Sequence, residues 1–290
     1  MKNYGKNRHL VAGNEIQSPS LIANNRGVHL SMPVKVVINS IAKSDCVCAV
    51  DLGINNAATA SIVGKDGTVK ARKFINPARD IDRRDRRRMR IKKKSRQTMK
   101  LTGQKLGRGF CKGLYRKSSN INESIAQQVS TQIVKFAKEH GVKTIVFEDL
   151  SNPKAKAGKK GTVMKQRFHQ WCKDRTVDLA VMKFSELGGT VEKVNAKYTS
   201  AYAFDGSGKL KRDKKNFTQA TFQNGKQYNC DLSASYNIGA RYWYAVLTNS
   251  KFSKVWEDRN SSHSQRTPVT LSSLWSLVTC VKNPQLESLI

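Results

Sequence analysis

The chain has 290 residues, 38% of them hydrophobic and 26% charged, so it is long and apolar enough to bury a core rather than remain disordered. Lys and Arg total 53 against 21 Asp and Glu, and the formal net charge of +32 favours a polyanionic partner, above all nucleic acid. No run of about 18 apolar residues occurs, so we expect no bilayer-spanning helix and no membrane partner. The polar beginning lacks the apolar core of a secretion signal, and the six scattered cysteines match no disulfide framework, which together predict a cytoplasmic protein.

Strand signals dominate the first part of the chain. Residues 1–26 are polar and predict coil, whereas residues 28–38 predict a strand that Pro33 confines to an edge or a bulge. Three further strands are predicted close together, with a Gly-Lys-Asp-Gly hairpin turn between the last two: 46–50, 59–63 and 68–74. They form an antiparallel meander, and Asp51 ends its first strand.

Residues 79–117 form a basic insertion, which begins "RDIDRRDRRRMRIKKKSRQTMK". Apolar residues are too sparse here to define a core face, and like charges this dense repel one another at helical spacing. A solvated helix face is the structural alternative, but we favour an arm that settles on nucleic-acid phosphates. The predicted contacts are Arg83, Arg84, Arg87, Arg88, Arg90, Lys92, Lys93, Lys94 and Arg96.

Helices and strands alternate in the second half of the chain. The predicted elements are a helix over 121–140, a strand over 144–147, a Lys/Gly-rich loop over 151–161, a helix from about 164 to 187, a strand over 191–194, a polar loop over 198–224, a strand over 226–230, and a helix that Asp231 opens as its N-cap. A Ser-rich tail follows from about residue 249. This order predicts a mixed α/β sheet covered by helices.

Three carboxylates stand where apolar stretches end: Asp51, Glu148 and Asp231. Taken singly, they have plain structural explanations as a turn former, a surface charge and a helix N-cap. Together, in a chain with only 21 acidic residues, they predict one shared site that only folding can assemble. Hard oxygen ligands suit Mg²⁺ or Mn²⁺, and two such ions about 4 Å apart can clamp the attacking water and the leaving oxygen of a phosphodiester.

The sequence around these acids resembles the three motifs of a RuvC-like nuclease domain: "AVDLGINN" at Asp51, "IVFEDL" at Glu148 and "YNCDLSASYNIGAR" at Asp231. More narrowly, it resembles the TnpB family of transposon-encoded, RNA-guided DNA nucleases, which are related to compact type V CRISPR effectors. The segment "YTSAYAF" at 198–204 is similar to the lead-in to that family's zinc ribbon. The resemblance covers roughly residues 28 to 246.

The resemblance implies an RNase H-like (RuvC-like) fold, in which helices flank a mixed sheet and a basic helical insertion is added. It implies that Asp51, Glu148 and Asp231 are catalytic acids that bind Mg²⁺ or Mn²⁺, and that the partners are a guide RNA and a target DNA. The implied reaction hydrolyses DNA, leaving a 5′-phosphate and a 3′-hydroxyl. Arg241, ten residues after Asp231 on the same helix, is a further predicted phosphate contact.

The chain departs from the family pattern in two regions. Ala201 and Phe204, then approximately Ala220 and Gln223, stand where the family carries cysteines, so we expect no zinc. The degenerate ribbon, residues 198–225, is then either mobile or held by packing of Tyr202, Phe204, Phe217 and Phe222. Residues 1–45 are much shorter than the family's recognition and wedge region, and we interpret them as its remnant. The predicted domains are therefore 1–45, a nuclease domain over 46–248, and the tail over 249–290.

Alternative functions share the same three acids. The chain could bind DNA under RNA guidance with little cleavage, as a repressor does. It could also cut branched DNA without a guide, as a junction resolvase does, or be an inactive transposon remnant. Cleavage that requires the acids and an RNA separates the leading hypothesis from all three.

Overall fold

The computed structural model describes the following residues: 14–24, 27–54, 56–107, 109–151, 167–213, 216–256 and 267–282. The chain divides into two compact units, residues 1–40 and residues 41–290. Within the described residues no helix is long and apolar enough to cross a membrane. Most of the lysine-rich loop predicted over 151–161, and the start of the helix predicted at Met164, lie outside the described residues.

The described part of the first unit contains two small antiparallel pairs of strands. They join β1 (Glu15–Ile16) to β4 (Val34–Lys35), and β2 (Ser20–Asn24) to β3 (Gly27–Ser31). The coil prediction is therefore wrong at β1 and β2. The single strand predicted over 28–38 is interrupted between β3 and β4, at Pro33, because proline has no N–H to donate to a ladder.

A five-stranded mixed sheet forms the centre of the second unit. In the order β7-β6-β5-β8-β9, its strands are β5 (Cys46–Asp51), β6 (Ala58–Gly64), β7 (Val69–Ile75), β8 (Thr144–Asp149) and β9 (Thr190–Asn195). Strands β5 to β7 form the predicted antiparallel meander, whereas β8 and β9 continue the sheet parallel to β5. The predicted mixed sheet is thus confirmed. Strands β5 and β8 carry apolar side chains on both sides because both faces of the sheet are covered.

Among the described residues, five helices accompany this sheet: α1 (Ala78–Thr102), α2 (Lys112–Glu139), α3 (Lys173–Ser185), α4 (Cys230–Leu247) and α5 (Leu271–Lys282). Helices α2 and α3 pack on one face, with Cys48, Val50 and Phe147 of the sheet. Helices α4 and α5 pack on the other face. Close contact with α4 requires Gly239, because a Cβ atom there would lie 2.6 Å from the Val63 side chain.

Most of the basic insertion is a continuous helix of 25 residues, α1, which agrees with the predicted helical insertion. Its few apolar residues suffice to anchor it, since Ile81 and Ile91 are buried. Arg84, at the third buried position, is 4% exposed and substitutes hydrogen bonds for apolar packing. The expectation that this segment defines no core face is therefore wrong, because it counted apolar residues and overlooked buried arginine.

The degenerate ribbon is ordered as a three-stranded antiparallel sheet of β10 (Lys211–Arg212), β11 (Gln219–Thr221) and β12 (Gln227–Asn229). An aromatic cluster packs against this small sheet: Phe204, Phe222, Tyr228 and Tyr236, with ring centroids 5.1 Å apart for Phe204 and Tyr228. Of the predicted packing residues, Phe204 and Phe222 belong to this cluster. The segment predicted as a tail contributes α5, whose Leu271 and Leu274 are buried against the sheet.

Candidate active site, a carboxylate cleft

The register of the two central parallel strands brings Asp51 and Glu148 together. Val50 pairs with Phe147, so the next residue on each strand lies at the same edge, about 4.8 Å from its neighbour across the sheet. Side chains alternate between faces, and Val50 and Phe147 belong to the α2 face. Asp51 and Glu148 consequently both point to the opposite face, which α4 covers.

Asp231 lies in the first turn of α4, which crosses that face. The N-cap of α4 is Asn229, whose side-chain oxygen accepts hydrogen bonds from the backbone N–H groups of Asp231 and Leu232, each 3.0 Å long. The prediction that Asp231 caps the helix is therefore wrong. Because Asn229 does the capping, the Asp231 carboxylate is available to the cleft, where its Oδ2 accepts a 3.0 Å hydrogen bond from Asn56 Nδ2.

The three acids line one cavity of about 390 Å³, which we call the carboxylate cleft. Its other lining residues include an amide, a cation and two aromatic rings: Asn56, Arg212, Phe217 and Trp171. Asp149 follows Glu148 and is exposed on the other face of the sheet, where its carboxylate accepts a hydrogen bond from the Ser151 backbone N–H at 3.1 Å. The fold therefore separates Glu148 from Asp149 although they are adjacent in sequence.

Electrostatics in the cleft oppose ionisation of two of the acids. The pKa of Asp51 is raised well above its usual range, first by burial and then by the negative charges of Glu148 and Asp231, while Arg212 opposes this shift. Burial also raises the pKa of Glu148, against a hydrogen bond from the Thr199 hydroxyl and the charge of Arg241. The like charges are close enough to interact, so the cleft favours either protons or an added cation.

The hydrogen bond to Glu148 is supported from α4. Asn237, 1% exposed, donates from Nδ2 to the carbonyl oxygens of Thr199 and Tyr202, both at 3.0 Å. Its Oδ1 accepts from the backbone N–H of Leu271 at 3.2 Å. Asn237 therefore fixes the backbone of the Tyr198-Thr199-Ser200 segment, although it is far away in sequence. The Thr199 hydroxyl of that segment in turn positions the Glu148 carboxylate.

The side chain of Arg241 is not exposed at the protein surface. Its side chain is fully buried and donates to the backbone carbonyls of Asn195 and Val269. Burial lowers the pKa of Arg241 to about 10, and the charge of Glu148 acts in the opposite direction. The prediction that Arg241 binds phosphate is therefore wrong, since it is a buried counter-charge behind Glu148.

The predicted basic contacts on α1 fall into two classes. Two of them are used inside the fold. Arg84 donates to the Gln170 carbonyl oxygen at 3.3 Å and to Asp85 at 3.0 Å, and Arg88 donates to Ser118 Oγ at 3.1 Å while its guanidinium lies 5.0 Å from the Tyr115 ring. Both are corrections to the predicted nucleic-acid surface, because their guanidinium groups already have partners in the protein.

The remaining predicted contacts are exposed or half-buried: Arg83, Arg87, Arg90, Lys92, Lys93, Lys94 and Arg96. Five arginines at helical spacing line a cavity of about 270 Å³ on this helix, and we call them the arginine face: Arg79, Arg83, Arg86, Arg87 and Arg90. The sequence prediction omitted Arg79 and Arg86, although the i, i+4, i+7 spacing identifies them. Within the described residues, the buried Nε of Arg87 has no hydrogen-bond partner.

The carboxylate cleft offers oxygen donors of the kind that Mg²⁺ and Mn²⁺ prefer. Two of its acids are costly to ionise there, which an added cation would relieve. In the part of the chain that the structure describes, however, no group of three or more His, Cys, Asp or Glu side chains is arranged so that it could hold a metal ion. The donor chemistry fits such an ion, whereas the present side-chain positions do not form a complete ligand set.

Three residues of the cleft escaped the sequence prediction: Asn56, Arg212 and Phe217. Asn56 stands five residues after Asp51 within "AVDLGINN", so the motif itself carried its signal. Arg212 and Phe217 lie in a polar stretch without periodicity. Only the docking of that stretch against α4 brings them to the cleft.

Comparison with protein-family models and with curated proteins found no significant match. Among solved structures, one described as a CRISPR-Cas12f ternary complex has a similar fold. The similarity covers 78% of this chain and 44% of the Cas12f chain, with 16% sequence identity and a TM-score of 0.51. For another structure, described as a Cas12f1-sgRNA-target DNA complex, the similarity covers 78% of this chain and 55% of the Cas12f1 chain, with 16% sequence identity and a TM-score of 0.49. The chain spans about half the length of these proteins, and the first likeness shows a shared fold.

Proposed function

We propose that this protein is a metal-dependent DNA endonuclease guided by RNA, with an RNase H-like catalytic domain of the TnpB type. One observation carries the proposal: Asp51, Glu148 and Asp231, distant in sequence, line a single cleft in a chain with a large excess of positive charge. The mixed sheet and the fold shared with a Cas12f support it. The three motifs that resemble TnpB add the mobile-element origin.

In this proposal the three carboxylates hold Mg²⁺ or Mn²⁺, which supplies Lewis acidity toward the phosphodiester. The Thr199 hydroxyl orients Glu148, and the Asn56 amide orients Asp231. Arg212 lines the cleft, and its guanidinium would bind a non-bridging phosphate oxygen of the substrate. Its Nη2 donates to the Ser200 carbonyl oxygen at 3.1 Å, which restricts the movement of the guanidinium.

The arginine face of α1 is proposed to bind the backbone of the guide RNA or target DNA. Its five arginines share one helical face, and their accessible guanidinium nitrogens would donate to phosphate oxygens. The Cas12f structures named above include complexes with single-guide RNA and target DNA, and we extend those two partners to this chain as part of the proposal.

The decisive experiment purifies the full chain from cells that also carry its native flanking DNA, and sequences any RNA that copurifies. Cleavage of DNA complementary to that RNA is then measured with Mg²⁺ and with EDTA. We expect Mg²⁺-dependent cutting that falls at least about 100-fold in Asp51→Ala, because outer-shell changes alone cost 10- to 100-fold. Asp149→Ala, next to Glu148 but on the other face, is the matched control and should cut normally.

If the wild type and Asp51→Ala cut equally well, the three-acid proposal is wrong. If Asp149→Ala is as inactive as Asp51→Ala, the loss does not report on the cleft. Should cleavage occur without any RNA on branched DNA, the chain is a guide-independent nuclease instead.

A second candidate function is RNA-guided DNA binding without cleavage. It is favoured by the finding that, among the described residues, the acids do not form a group that could hold a metal ion. Under this alternative, gel-shift assays with the copurified RNA show specific DNA binding, while no product forms at saturating Mg²⁺. Steady turnover would eliminate it.

A further inference from the structure

Phe217 is an exposed aromatic residue in a place where exposure is informative. Its side chain is 61% exposed, and it lines the carboxylate cleft together with the three acids. Single exposed apolar residues are common on protein surfaces and need no function. At the rim of a charged cleft, however, this apolar ring covers no core residue. It must therefore face any ligand that enters the cleft.

The backbone that carries Phe217 is fixed. Its carbonyl oxygen accepts a hydrogen bond from Cys230 Sγ at 3.1 Å, and the carbonyl oxygen of Thr218 accepts one from the Cys230 backbone N–H at 2.9 Å. The Asn216 side chain closes the same turn by accepting from the Thr218 hydroxyl at 2.6 Å. The Phe217 ring is therefore held by a turn that is hydrogen-bonded to Cys230. Cys230 is the first residue of α4 and directly precedes Asp231.

Trp171 provides a second aromatic wall to the cleft. It is half-buried, packs against the apolar cluster beneath α2 and α3, and lies 6.1 Å from the Phe168 ring. Its buried side belongs to the core, while another part lines the cleft. The cleft thus combines apolar rings with Arg212 and acids, which matches a nucleotide: a flat base beside a phosphate.

We propose that Phe217 stacks on an unpaired base next to the phosphate in the cleft, so that the site selects single-stranded over duplex nucleic acid. This inference rests on the proposed function. Aromatic rings stack on bases of any sequence, but only where the base face is free of its neighbours. In a duplex both faces of a base are covered, so Phe217 could not stack without unpairing.

The test measures binding of single-stranded DNA that contains 2-aminopurine, whose fluorescence falls on stacking. The full chain is titrated in EDTA, so that no cleavage occurs. We expect Phe217→Ala and Phe217→Leu to weaken single-strand binding about 10-fold, within the range for loss of one stacked base, and to abolish the fluorescence decrease. Duplex affinity should stay unchanged. Phe74→Ala, which removes another exposed phenylalanine (48%) that does not line the cleft, is the control.

Salt dependence separates stacking from charge. Because Phe217 neutralises no phosphate, the slope of log affinity against log salt should be the same in Phe217→Ala and in the wild type. The inference is overturned if Phe217→Ala retains both the fluorescence decrease and the single-strand preference, or if Phe217→Leu retains the fluorescence decrease. If the wild-type chain carrying its copurified RNA binds neither form of DNA, the proposed function itself fails, so the two failures are distinguishable.

Discussion

The carboxylate cleft and the arginine face of α1 each bring together side chains whose charges have the same sign. They differ in solvent exposure, since the acids of the cleft are shielded from water and the arginines are not. In the cleft, two strand ends place Asp51 beside Glu148 and the surrounding protein removes water, so their pKa values rise. On α1 the arginines lie at the surface, where water and salt screen their repulsion. The cleft therefore needs a ligand before its acids ionise easily, whereas the arginine face is ready for a polyanion.

The largest expected effect tests whether α1 really carries two classes of arginine. Arg84→Ala removes a side chain that is 5% exposed and paired with Asp85, and should lower the free energy of unfolding by about 3 kcal/mol. Arg83→Ala breaks only the exposed pair with Asp80 and should cost less than about 0.5 kcal/mol. Urea denaturation measures both. Equal losses would contradict the division between buried and outward arginines.

The next effect tests the outward class. The triple variant R83Q/R87Q/R90Q should reduce the slope of log affinity for nucleic acid against log salt by about 2.7, because each phosphate contact contributes about 0.9. Folding stability should change little. A control variant, K65Q/K138Q/K251Q, removes three exposed lysines from other surfaces. If both variants lose the same slope, binding follows total charge and the arginine face has no special role.

A smaller effect tests the positioning of Glu148. Thr199→Val removes the hydroxyl that donates to the Glu148 carboxylate and should reduce the cleavage rate about 10-fold, as loss of an orienting partner does. Thr199→Ser keeps the hydroxyl and should restore most of the rate, while DNA affinity stays constant in both. A wild-type rate in Thr199→Val would show that this hydrogen bond is not used in the reaction.

The smallest effect sharpens the electrostatic side of the comparison. Because the pKa of Asp51 is raised in the folded protein, the folded state keeps this proton to a higher pH than the unfolded chain. The stability it contributes is complete below the usual pKa of 3.8 and is lost as pH rises through the folded pKa. In EDTA, Asp51→Asn should therefore become more stable than the wild type as pH rises from 5 to 8.

Thermal unfolding across this pH range measures the difference between Asp51→Asn and the wild type. Arg83→Gln on α1 should show no such pH-dependent difference. A constant difference for Asp51→Asn would mean that neither burial nor the neighbouring acids oppose its ionisation.

Much of the sheet was predictable because its signals are local. The runs at β5, β6 and β7 and the Gly-Lys-Asp-Gly turn follow from neighbouring residues, and the structure places these elements within a residue or two of their predicted ends. The buried face of helix α1 was not predicted because the partners of Arg84 come from distant elements. In the small sheet of the degenerate ribbon, β12 was predicted as the strand over 226–230, whereas β10 and β11 were missed because they are only two and three residues long.

The sequence by itself determined the three acids, the basic insertion and the alternation of strands and helices, because these depend on residue type and short-range spacing. Only the tertiary structure decided which charges face a ligand. The register of β5 on β8 placed Asp51 and Glu148 side by side, and the Asn229 cap left Asp231 available to the cleft. Arg84 and Arg241 are buried rather than exposed to a ligand. The direction of a side chain depends on what packs against it rather than on its neighbours in sequence.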